Sequence, residues 1–253
     1  EELSLYALLA QGGSVRNNNG IWVEGSGSNS LAQQLKRDGY LDISRIGDLV
    51  LAHRTVFDGE TAADQLLAVF TGEDPYEGFD ITGNGYDPAA VIHSGFAAAA
   101  DAALTEIAAY IRSCTAAGEM NADDVRILLT GHGNGAAAAN LAAKHLTDIR
   151  SGLADARYKE IGIGGVQAYT FATPNVATAD RIRNPASFDD AREKTLYDNI
   201  FNFCFTDDLA ANLPLETWSW GKFGKTYWAT AADLAQSSAA FAAAVRTYRG
   251  GRQ

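Results

Sequence analysis

Apolar and polar positions along this chain change rhythm several times, and each change marks an element. From Ser94 the apolar residues Phe96, Ala100, Leu104, Ile107 and Ile111 share one helical face, and Gly118 supplies the stop. "DLVLAHRTVF" and "QLLAVF" read as strands, joined by a loop that opens on Asp58-Gly59, the chemistry of a hairpin. "VRILLT" is a short, continuously apolar run, the pattern of a central parallel strand. The helix predicted after it, "AAAANLAAKHL", has almost no bulk on its first turn, so its backbone can press against the sheet. "GVQAYTFA" and "IFNFCF" are two more strand runs, separated by a polar, charged connection at 178–197, and "ADLAQSSAAFAAAVRTY" is a final helix. Near the start, "ELSLYALLA" and "SLAQQLKR" read as short amphipathic helices on the edge of the core, with "GGSVRNNNG" as a loop between them. Strands alternating with helices predict an α/β fold, a mostly parallel central sheet with helices on both faces. No internal repeat or linker divides the chain, so residues 1–253 are expected to form a single domain.

Composition narrows the function classes. The 20 Lys and Arg against 31 Asp and Glu give a net charge of −11, a field that repels nucleic acid and anionic membrane surfaces. No apolar stretch is long enough for a transmembrane segment, and residues 1–12 lack the basic start and long apolar run of a signal peptide. Cys114 and Cys204 read as buried small hydrophobes, not as a disulfide framework. The Gly- and Asp-rich stretch at 71–88 lacks the spacing of a calcium loop and reads as a solvated surface loop. His53, His93, His132 and His145 include no pair spaced to grip one zinc, so no metal and no cofactor are expected.

The chemistry concentrates in "ILLTGHGNGAAAANLAA", residues 127–143, a strand, a tight turn and a helix opening on small residues. The turn has the outline of a G-x-S-x-G nucleophile elbow with Gly133 at the serine position. Four motifs stand in one order: "VIHSGF", "TGHGNGAAAANLAA", "YTFATPNV" and "FTDDLAANLP". In that order they resemble the segments of class 3 lipases, with "AVFTGE" where that family has a strand-end F-R-G-T and "WGKFGKTYW" like its strand after the acid. The resemblance covers about residues 48–228 and implies an α/β-hydrolase fold with a Ser-Asp-His triad. Carried over, it puts Gly133 at the nucleophile position and Asp208 at the acid. The oxyanion amides fall to Asn134 and to the end of "FTGE", near Gly72 or Glu73.

The departures carry as much information. Glycine offers no hydroxyl to attack a carbonyl. All four histidines precede the acid, and Ala242 to Ala244 stand where the family places its base. Ala210 and Ala211 replace the usual Val-Pro after the acid. Read plainly, Asp208 caps a turn, His132 fills the small second position of the elbow, His93 braces the start of the long helix, His53 lies on a strand face, and His145 faces solvent. Several independent changes imply a pseudo-hydrolase that binds a small, lipid-like molecule or a protein without cleaving it. An ester hydrolase with altered or displaced catalytic residues is the first alternative. A dinucleotide-binding domain built on "GHGNGA", a G-x-G-x-x-A variant, is the second.

Overall fold

The apolar run that begins at Val125 becomes a strand because a sheet interior covered on both faces removes successive side chains from water. A computed structural model describes residues 3, 6, 7, 9, 10, 14–16, 22–24, 31–59, 61–72, 92–153, 161–178, 196–213, 219–230, 232 and 233. In chain order its elements are β1 (Ser14–Arg16), β2 (Trp22–Glu24), α1 (Leu31–Arg37), β3 (Leu41–Ile46), β4 (Leu49–Asp58), β5 (Thr61–Phe70), α2 (Ser94–Ala116) and β6 (Val125–His132). There follow α3 (Asn134–Arg150), β7 (Ile163–Phe171), β8 (Ala177–Thr178), β9 (Ile200–Phe205), a 3-10 turn (Ala210–Asn212), β10 (Trp220–Gly221) and β11 (Lys225–Ala229). The surface loop read at 71–88 and the final helix lie almost wholly outside the described residues.

Seven strands pair in the order β11-β9-β7-β6-β5-β4-β3, so β6 is central as its pattern predicts. The pairs from β5 through β6, β7 and β9 to β11 are parallel, and β4 is antiparallel to both neighbours, which makes the sheet mostly parallel. The β4–β5 hairpin closes on Asp58 opposite Thr61, with Gly59 at φ 62° in its turn.

Strand alternation sorts the core into two layers. Leu49, Leu51, Leu66, Ala68, Ile127 and Leu129 face α2 and α3, packing with Leu104, Ile107, Ile111 and Leu141. Strand order that follows chain order, with right-handed crossovers, puts both helices on this one face. The alternate residues Val50, Ala52, Leu67, Val69 and Leu128 face the other way, onto Leu31 and Leu35 of α1 and onto Tyr6 and Ala10. The described N-terminal residues therefore cover the second face of the sheet. Pairing was also hidden in two places: β1 and β2 pair across the stretch read as a loop, and β3 extends the sheet beyond β4. β3 lies at the sheet edge with none of its residues buried, so little hydrophobic alternation marks it.

Candidate active site

β6 runs out at Gly131 and His132, and the chain reverses at Gly133 into the first turn of α3. Gly133 takes φ 56° and ψ −125°, a combination open to glycine and costly for other residues. Its N–H donates to the Phe171 carbonyl at 3.0 Å, and its carbonyl accepts from Ala137 at 3.1 Å, so the reversal is bonded to both β7 and the helix it starts. The flanking glycines serve close approach. A methyl at Gly135 would lie 2.5 Å from the Phe70 carbonyl oxygen and 2.7 Å from the Gly72 nitrogen; one at Gly131 would lie 2.7 Å from the Gly135 carbonyl. The end of β5 thus crosses the N-terminus of α3 in backbone contact. That crossing brings Gly72 and Asn134 onto the wall of one cavity of about 490 Å³, with Phe70, Thr71, His93 and Phe96. Glu73 lies outside the described residues. The Thr71 hydroxyl is buried with no hydrogen-bond partner among the described residues, a polar group at the cavity that motif reading passed over.

Asp208 follows β9 and is half-buried. Its Oδ1 accepts from the amides of Ala210 at 3.0 Å and Ala211 at 3.4 Å, capping the 3-10 turn. Its charge reaches the His132 imidazole, though burial has the larger effect and holds His132 below the ordinary histidine range. Asp208 and Gly133 therefore both follow the carboxyl ends of parallel strands, β9 and β6, with β7 between them. Lys222, only 6 % exposed, locks this loop: its ammonium donates to the carbonyls of Thr173 at 2.6 Å and Ala211 at 2.8 Å. A single lysine in sequence reads as surface; only the fold shows it as an internal tie between the exit of β7 and the loop after β9.

The histidines occupy four different settings. His93 caps α2, its Nδ1 accepting from the Phe96 amide at 3.3 Å while its ring stacks on Phe96 with centroids 4.1 Å apart. That bond fixes the proton of the neutral ring on Nε2, and burial lowers the pKa of the group. His145 lies on α3 with its Nδ1 3.8 Å from Asp101. His53 is buried beneath α2, against Tyr110. The segment containing Ala242 to Ala244 lies outside the described residues. Chemically, the turn at Gly133 offers a helix N-terminus and a wall of backbone beside an apolar cavity.

Residues 56–218 match the family model described as lipase (class 3). No curated protein matches the chain in sequence. Among solved structures, the mono- and diacylglycerol lipase from Aspergillus oryzae is similar at 20% identity and a TM-score of 0.53, over 91% of this chain and 78% of that one. A mutant form of MDLA from Penicillium cyclopium is similar at 19% identity and a TM-score of 0.53, over 90% and 77%. A third, a fungal lipase, is similar at 18% identity and a TM-score of 0.51. At these identities the likeness is one of fold.

Proposed function

The chain belongs to the class 3 lipase family, and on that premise we propose that it is a catalytically degenerate member that binds a lipid-like ligand without cleaving it. The observation that carries this reading is Gly133 at the centre of the elbow, in a backbone conformation that suits an elbow, with no atom able to attack an ester. Asp208 supports it, because its carboxylate is engaged in capping the following turn. So does the place of His132, which precedes the elbow in the strand. The cavity beside the elbow suits an acyl-like ligand, with Phe70, Phe96, Ala99 and Ala103 for apolar contact and the Thr71 hydroxyl for a polar end.

The test is an esterase assay with p-nitrophenyl butyrate, paired with calorimetric titration of monodecanoylglycerol. The expected result is saturable binding with neither a burst nor turnover above background. A burst of nitrophenol stoichiometric with protein would overturn the proposal and establish the alternative, a hydrolase whose nucleophile lies elsewhere. The dinucleotide reading has less support. The strands follow chain order across the sheet, so the order does not reverse at β6 to open a switch-point crevice beside "GHGNGA".

A further inference from the structure

On the face of the sheet covered by α2, and away from the elbow, the fold gathers donors that sequence spacing keeps apart. The ligating atoms of Asp42 on β3, His53 on β4 and Cys114 on α2 lie within 4.8 Å of one another. His53 is 2 % exposed and Cys114 4 %, while Asp42 is exposed at the surface. The His53 ring has the Tyr110 hydroxyl 3.0 Å from its Nδ1, and its buried Nε2 has no partner among the described residues. Cys114 Sγ also lies close to Nδ1, so Nδ1 is the ring nitrogen that faces the other donors; a metal ion there replaces the Tyr110 hydroxyl, and the proton of the neutral ring then sits on Nε2. The Tyr110 hydroxyl in turn donates to the Asp42 carbonyl at 2.8 Å, tying the backbone of Asp42 to the cluster.

Asp42 sits at an irregularity in the β3–β4 register, at φ 46°. A non-glycine residue held at positive φ is uncommon, and here it accompanies a carboxylate brought beside a thiol and an imidazole. The Glu119 carboxyl, just beyond the end of α2, lies beside Asp42, whose proximity raises its pKa, and supplies a second oxygen donor next to the first. A cavity of about 690 Å³ opens onto Asp42, Tyr110 and Cys114 and gives a path from solvent.

We propose that Asp42, His53 and Cys114 form a binding site for a zinc-class divalent ion, with Glu119 or water as the fourth donor. The 3.7 Å between Cys114 Sγ and His53 Nδ1 is close to the roughly 3.6 Å that a sulfur and a nitrogen span on a tetrahedral zinc ion. Sulfur and imidazole donors favour zinc over calcium or magnesium, which take oxygen. Lys36 and Arg45 line the same cavity, so selection falls to donor type and not to net charge. On binding, the Cys114 thiol loses its proton to solvent and the sulfur lone pair forms the metal bond, with no redox change.

The probe is cobalt(II), added to the full chain after dialysis against EDTA. The unsubstituted protein should show sulfur-to-cobalt charge-transfer absorption and the intense visible bands of a tetrahedral ion, and zinc should displace them at one equivalent. Cys114→Ala should abolish the charge-transfer band, although Cys204 remains. Asp42→Asn keeps a residue that tolerates positive φ at an exposed position, so it should fold normally in EDTA, and it should weaken cobalt binding about tenfold or more. The proposal is overturned by absence of the band in the unsubstituted chain, by its persistence in Cys114→Ala, or by unchanged affinity in Asp42→Asn.

Discussion

Serine at position 133 would have to take φ 56° and ψ −125°, which glycine reaches without a Cβ penalty. Strain of that kind costs about 1–3 kcal/mol, and a hydrolase offsets it elsewhere in the fold. Gly133→Ser should therefore lower unfolding stability by about 1 kcal/mol or more in denaturant titrations. The same variant should stay inactive in the ester assay, because the neighbouring imidazole, His132, sits in the strand before the elbow. An unchanged midpoint would show that the turn imposes no strain, and recovered hydrolysis would show that a base is within reach.

At the scale of elements, what positions the cavity is the crossing of β5 over the first turn of α3. Gly135→Ala improves helix propensity by about 1 kcal/mol, which taken alone would stabilise α3. The added methyl would meet backbone atoms of Phe70 and Gly72 at 2.5 and 2.7 Å, and neither is a flexible side-chain end. Overpacking of this sort costs about 1–3 kcal/mol, so the net effect should be destabilising, measured as a lower urea midpoint. It should also weaken binding of monodecanoylglycerol, because Gly72 and Asn134 share the cavity wall that the methyl pushes apart. A stabilised variant would mean that the strand end yields easily.

For the whole molecule, acid is the informative perturbation. Burial holds His93 and His132 below their ordinary value of 6.5, in both cases as the largest cause. The unfolded chain then binds more protons than the folded one between the lowered values and 6.5. The contribution of these groups is thus full above 6.5 and is lost as pH falls through the folded values. Stability should drop between about pH 7 and pH 5, and His93→Gln should flatten that slope, as read from urea midpoints across the range. A slope unchanged by the substitution would leave His93 out of the linkage.

Much of this protein was determined by sequence alone. The long helix from Ser94, the central strand from Val125, the glycine turn and the strands at 163–171 and 200–205 follow from hydrophobic period and from residue types that local sterics restrict. Motif order reached the family because three of the motifs sit at strand ends and "VIHSGF" opens α2, places where the fold fixes both residue type and sequence order. What the sequence could not determine is which side chains meet across the fold. Lys222 became an internal tie because two carbonyls, of Thr173 and Ala211, converge on it from separate loops. Pairing of β3 with β4, and packing of α2 over both, brought Asp42, His53 and Cys114 together. Period and propensity are local, acting within a few residues of each position, whereas these clusters are created by strand register and helix packing that join segments far apart in the chain.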